Sequence, residues 1–184
     1  MEEAAARVPL GAGGVVATFS NTMDSKHWVQ ASPSFLQFDV DDPTVGRAAC
    51  IRALEEQAAY VALGHVRMLE ELRGRRFGQI VFGGGAAKGR LWPRIVSDVL
   101  GVDVLIPVVK ESSALGAALC AGVGVGMYPS LAQVVATAVR FEDRLEADPA
   151  SHEAYGALVE RWSGIYARVL EMSEDGSLRP MWAP

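Results

Sequence analysis

The stretch Gln79-Ile-Val-Phe-Gly-Gly-Gly-Ala-Ala-Lys-Gly-Arg-Leu-Trp92 sets the fold class. It reads as a short apolar strand, a tight glycine turn and the opening of an amphipathic helix. Three successive glycines permit positive φ and leave no Cβ to obstruct an approaching ligand. At the carboxyl end of a strand in an α/β sheet, such a turn lies where nucleotides bind. The helix beyond it offers free N–H groups and a positive dipole end. On its own, a triple-glycine turn is compatible with a nucleotide site and equally with a bare strand-to-helix connection.

Two phosphate-binding patterns are excluded by spacing. Counting from Gly84, Gly89 falls where a P-loop needs its second glycine, but Arg90 and Leu91 replace the lysine and hydroxyl that must follow. Counting from Gly83, Lys88 stands where a dinucleotide fingerprint needs its last glycine. No acidic residue ends a following strand at the usual distance either.

Working outward, the chain alternates strand and helix signals. Asp103-Val-Leu-Ile-Pro-Val-Val109 reads as a buried interior strand. The helix after the glycine turn places Leu91, Ile95, Val96 and Val99 on one face and stops at Gly101. Upstream, Asp41-Asp42-Pro43 predicts a helix start. From there Ile51, Leu54, Ala58, Val61, His65, Met68 and Leu72 predict one apolar face as far as Gly74. Glu55-Glu56 and Glu70-Glu71 are then expected in solvent, and His65 in the core.

Glu111 to Gly122 is a helix of small residues, with Ser112 and Ser113 expected to cap it and Gly116, Ala117 and Gly122 allowing close packing. Ser151 to Glu171 carries Tyr155, Leu158, Trp162, Ile165, Tyr166 and Val169 on a single stripe. At the other end, residues 1–7 read as helix, Gly14–Phe19 as a strand supplying a sheet edge, 20–33 as an irregular loop holding His27, and Ser34–Val40 as a strand. The βα-βα order makes the class α/β.

Composition bounds the function. The 184 residues are half hydrophobic and carry a net charge of −5. A chain of this length buries about 70% of its unfolded surface. No basic run supports nucleic-acid binding, and the longest apolar stretch, Ala114 to Met127, is too short to cross a bilayer. Cys50 and Cys120 are expected as small buried hydrophobes in a reducing compartment, which points to the cytoplasm. His27, His65 and His152 lack metal-ligand spacing. No nucleophilic triad or carboxylate pair stands out, so no catalytic or metal-binding residue is assigned.

Four segments together resemble the C-terminal domain of the FGGY carbohydrate kinases: Phe82 to Trp92, Ser97-Asp-Val-Leu-Gly101, Pro107-Val-Val-Lys-Glu111 and Ala114-Leu-Gly-Ala-Ala118. Arg7 to Gly14, Ala31 to Phe35, Arg52 to Ala59 and Met181 to Pro184 extend the likeness almost end to end. They favour the branch that phosphorylates a linear hydroxylated pentanedione signal. The resemblance implies an actin-like (ribonuclease H-like) ATPase lobe, incomplete at its N-terminal end. It makes the glycine turn an adenosine motif, with Gly84 and Gly85 lining the nucleotide, Lys88 supplying a polar contact, and Gly83 and Ala86 as neighbours. The helix Ala114–Gly122 would pack at a hinge between lobes.

By the same resemblance, the catalytic aspartate, both phosphate loops, the sugar contacts and the Mg2+ ligands lie upstream of Met1. Residues 1–184 are then expected to be a truncated ATP-binding C-terminal domain without its N-terminal sugar-binding and catalytic domain, and inactive alone. Its expected cofactors are ATP and Mg2+. Its expected partners are ATP or ADP, a small polyhydroxy or dione substrate held by the other lobe, and that lobe or a second copy. The alternative is a non-catalytic remnant or interaction protein with an actin-like half-fold, whose exposed edge near residues 1–19 invites association.

Overall fold

In this computed structural model, residues 1–22, 29–39, 41 and 45–182 are described. The larger sheet has three strands, β3 (Gln79–Val81), β4 (Asp103–Pro107) and β5 (Phe141–Leu145), with β4 in the middle. β3 and β4 run parallel, Ile80 opposite Val104. The antiparallel β5 completes the other edge of β4, Val104 opposite Leu145. A central position accounts for the apolar run of β4, whose Val104 is fully buried. β5 carries Glu142, Asp143 and Arg144 and is mostly exposed, as suits an edge strand.

Helix α3 (Leu91–Leu100) makes the crossover from β3 to β4 and ends on Gly101 at φ 66°, a left-handed cap that glycine adopts readily. Its Ile95, Val96 and Val99 are buried, as the spacing predicts. Helix α2 (Arg47–Arg73) packs across α3 and ends at Gly74, also left-handed. Its first turn starts at Gly46 rather than at the predicted Asp41-Asp42-Pro43 cap, of which 42 and 43 lie outside the described residues. An equivalent Asp-Pro pair operates elsewhere. Asp148 caps α6 (Pro149–Glu174), accepting from the Ser151 N–H at 2.8 Å, so this helix begins two residues before the predicted Ser151.

The remaining elements are α1 (Glu2–Ala6), β1 (Val16–Ala17), β2 (Phe35–Leu36), α4 (Ser112–Gly124) and α5 (Leu131–Ala138). β1 pairs with β2 in a separate two-stranded ladder and does not join the main sheet. Val15, Val16 and Ala17 are buried, which overturns the expected exposed edge in this part of the chain. Helix α6 covers them: Trp162 Nε1 donates to the Ala17 carbonyl at 2.9 Å, and the Tyr166 hydroxyl accepts from the Ala31 N–H at 3.0 Å. Tyr60, Trp162 and Tyr166 form a tilted aromatic stack at the centre of the core.

Helix α2 contradicts the predicted apolar face most sharply. Its buried residues are Ala49, Arg52, Ala53, Glu56, Gln57, Ala59, Tyr60 and Leu63. The predicted stripe is half-buried at Ile51, Leu54, Ala58 and Val61, and exposed at His65, Met68 and Leu72. Glu56, expected in solvent, is 2% exposed. The physical reason is the segment from Gly11 to Ser20, whose backbone groups outside the short β1 ladder need partners once covered. Glu56 accepts from the Gly11 N–H at 3.1 Å, and Gln57 bonds the Phe19 N–H and the Ser20 carbonyl.

Candidate functional site

The two turns that follow β3 and β4 meet at the carboxyl end of the parallel pair. The Gly84 N–H donates to the Lys110 carbonyl at 2.8 Å, tying one turn to the other. Gly84 sits at φ 85°, ψ −169°, a conformation essentially confined to glycine. A Cβ at Gly84 or Gly85 would meet no atom within 4 Å, so the backbone there faces open space. Gly83 differs: its Cβ would lie 2.4 Å from the Ser112 hydroxyl, so this glycine lets α4 approach. A single turn of 3-10 helix follows, Gly85–Lys88, closed by the Ala87 N–H on the Gly84 carbonyl. Phe82 and Trp92 brace the two ends of the turn edge to face, centroids 5.8 Å apart.

Lys88 lies 2.9 Å from the Glu111 carboxylate, with both side chains largely in water. Such a pair contributes little stability and leaves the ammonium free to exchange partners. Lys88, Ala87 and Gly89 belong to the wall of a cleft of about 910 Å³, while Gly83, Gly84, Gly85 and Ala86 lie outside its lining. Glu2, Glu3 and Ala6 of α1 line it too, and the cleft extends to Arg52, Tyr155 and Lys110. Asp98 also lines it. Burial pushes the Asp98 carboxyl above the usual range, opposed by the Asp148 N–H and by Arg94.

Several expectations need correction at this site. The start of α3, expected to present free N–H groups, is capped: the Glu2 carboxylate accepts from the Arg90 and Leu91 N–H groups. Ser112 and Ser113 do not cap α4. The N-cap is Glu111, and the Ser112 hydroxyl donates to the Lys110 carbonyl at 3.4 Å. Cys120 is exposed on α4 and Cys50 is half-buried, so neither is the fully buried hydrophobe expected. His152 holds the other end of α3, its Nδ1 2.9 Å from the Asp98 carbonyl and its ring against Gly101. His27 falls outside the described residues.

A buried network stands behind the cleft. Arg52 Nε donates to Glu56 at 2.8 Å, Arg52 also reaches the Tyr155 hydroxyl at 3.1 Å, and that hydroxyl donates to Glu56 at 3.1 Å. Burial pushes the Glu56 carboxyl up against the pull of Arg52, and it pushes the Tyr155 phenol up as well. Sequence pattern missed this cluster. The only signal was the i, i+4 spacing of Arg52 and Glu56. Among the described residues, no group of three His, Cys, Asp or Glu side chains could hold a metal ion. No helix among the described residues is long and apolar enough to cross a membrane.

A parallel strand pair joined through a helix, with a glycine-only turn at its carboxyl end and a cleft nearby, defines an α/β lobe. The chain belongs to the FGGY family of carbohydrate kinases, whose C-terminal domain its residues 1–125 match. An autoinducer-2 kinase from Yersinia enterocolitica is 40% identical over 182 residues, which are 99% of this chain and 34% of that protein. Among solved structures, xylulose kinase from Rhodospirillum rubrum is 28% identical with a TM-score of 0.70, covering 91% of this chain and 33% of that one. Plasmodium falciparum glycerol kinase, solved with ADP, is 22% identical with a TM-score of 0.69, covering 89% of this chain and 33% of that one. The fold is therefore the actin-like ATPase fold of these kinases. The chain spans about a third of the length of the curated relatives it matches.

Proposed function

We propose that this chain is the ATP-binding C-terminal portion of a kinase that moves the γ-phosphate of ATP to a hydroxyl of a small sugar-like substrate. The autoinducer-2 kinases among its relatives make that signal the favoured acceptor, and quorum-signal processing in the cytoplasm the favoured setting. One observation carries the nucleotide reading: Gly84 and Gly85 leave open space on a glycine-only backbone at the ends of two parallel strands. On this reading Gly84 and Gly85 pack against adenine and ribose, Gly83 and Ala86 shape the turn, and Lys88 supplies the polar contact. Bound ATP supplies the transferable phosphoryl group. The catalytic base and the Mg2+ ligands belong to the rest of the kinase, and this chain alone does not transfer phosphate.

Gly85 allows a clean test, because its backbone is not left-handed and nothing would contact its Cβ. Calorimetric titration of magnesium ATP and ADP should show saturable binding to the chain and none to Gly85→Trp. Failure of the folded parent chain to bind either nucleotide would overturn the reading. A second reading, an actin-like half-fold that works by association, is favoured by the exposed apolar surface of α4. On the first reading that surface is where the sugar-binding lobe docks, and on the second it receives another chain.

A further inference from the structure

Helix α3 carries no side-chain cap of its own. Its N-terminal partner comes from the far end of the chain. Glu2 Oε1 accepts from the Leu91 N–H at 2.7 Å and from the Arg90 N–H. A carboxylate on those donors makes charge-assisted bonds and complements the helix dipole. Independently, a Cβ at Gly89 would lie 2.9 and 3.0 Å from the two Glu2 oxygens. Gly89 has φ −85° and ψ 165°, which any residue adopts. Glycine at this position therefore serves the carboxylate and not the backbone. Glu2, Lys88, Gly89 and Arg90 also line the same cleft.

The geometry points to Glu2 as a positioning residue. Its carboxylate pegs the start of α3 and so fixes turn 83–89, which presents Lys88 to the cleft. The peg stands on these contacts alone. Its consequence for nucleotide affinity rests on the function proposed above.

The test compares amide hydrogen exchange and ADP affinity in the 184-residue chain and in Glu2→Ala, Glu2→Gln, Gly89→Ala and the Glu2→Ala/Gly89→Ala double variant. In Glu2→Ala the Arg90 and Leu91 amides should exchange about ten-fold faster, the loss expected of one cap. Glu2→Gln keeps an acceptor oxygen and should fall between that variant and the parent. Gly89→Ala keeps the carboxylate but crowds its flexible end, so it should fall between the parent and Glu2→Ala, and the double variant should match Glu2→Ala. Exchange in β4 and α6 should not change, while ADP affinity should fall several-fold in both single alanine variants.

Unchanged exchange at Arg90 and Leu91, or additive effects of the two substitutions, would overturn the peg. Faster exchange with parental ADP affinity would overturn its positioning role. A parent chain that binds no ADP would sink the nucleotide reading, and the exchange comparison would still decide the peg.

Discussion

Helix α2 turns Arg52, Glu56 and Gln57 into the interior, whereas α4, which has no charged residue, leaves Ala114, Ala117, Ala118, Cys120 and Ala121 in solvent. Polarity alone would have placed them the other way round. What differs is the partner each helix meets. Against α2 lies a stretch of irregular backbone whose N–H and C=O groups demand polar neighbours. Against α4 lie α5 and Tyr128, enough to bury Leu119 and Gly122. Burial therefore follows the surface a helix is given. On the function proposed above, a helix this apolar with so little covered is the surface for association.

The largest effect should come from breaking the interior of α2. Glu56→Ala strips the acceptor from Arg52, Tyr155 and the Gly11 N–H together. Removing one partner of a buried ion pair costs about 3–5 kcal/mol, read by urea unfolding. A loss below about 1 kcal/mol would place the pair among surface pairs and dissolve the contrast with α4. The pH dependence carries a sign. Burial raises the Glu56 carboxyl above its ordinary value of 4.5. Its contribution is therefore fully present below that value and is lost as pH rises through the higher folded value. The stability of the parent chain relative to Glu56→Gln should fall as pH is raised from acid toward neutral. The opposite slope would mean that Arg52 outweighs desolvation.

The same contrast explains what could be read from the sequence. The β3-turn-α3-β4 unit was legible because strand, glycine and helix signals agree there, and Gly74 and Gly101 marked their helix ends. The face of α2 was not. Hydrophobic periodicity found Ile51, Leu54, Ala58 and Val61, which are only half-buried, and it cannot recognise a face chosen by backbone hydrogen bonds 40 or so residues away. β5 hid because Glu142, Asp143 and Arg144 are the charges of an edge strand. At the candidate site the glycines were visible, but the Glu2 cap was not, since a contact 88 residues distant leaves no local pattern.

A smaller effect should separate two glycines of α4. A Cβ at Gly122 would lie 2.6 Å from a Tyr128 ring carbon, whereas one at Gly116 would meet nothing within 4 Å. Gly122→Ala should cost about 1–3 kcal/mol through overpacking. Gly116→Ala should be neutral or stabilise by up to about 1 kcal/mol through helix propensity. Equal effects in thermal unfolding would mean that α4 is packed alike along its length, and its contrast with α2 would fail.

The smallest effect is the most telling. Ala117 and Ala121 stand one turn apart on the exposed face of α4. If this chain leaves that face bare, Ala117→Glu with Ala121→Glu should change its stability by no more than about 0.5 kcal/mol, since surface substitutions rarely do more. A loss above about 1 kcal/mol would show that the chain itself covers the face, and α4 would then be an ordinary packed helix. Cys120, between the two alanines and exposed, reports the same surface without mutation. A thiol reagent should label it faster than the half-buried Cys50 in the isolated chain. When the chain is joined to the remainder of a longer kinase, labelling of Cys120 should slow while Cys50 keeps its rate. Protection at both would signal a general tightening of the fold. Protection at Cys120 alone locates the missing partner on α4.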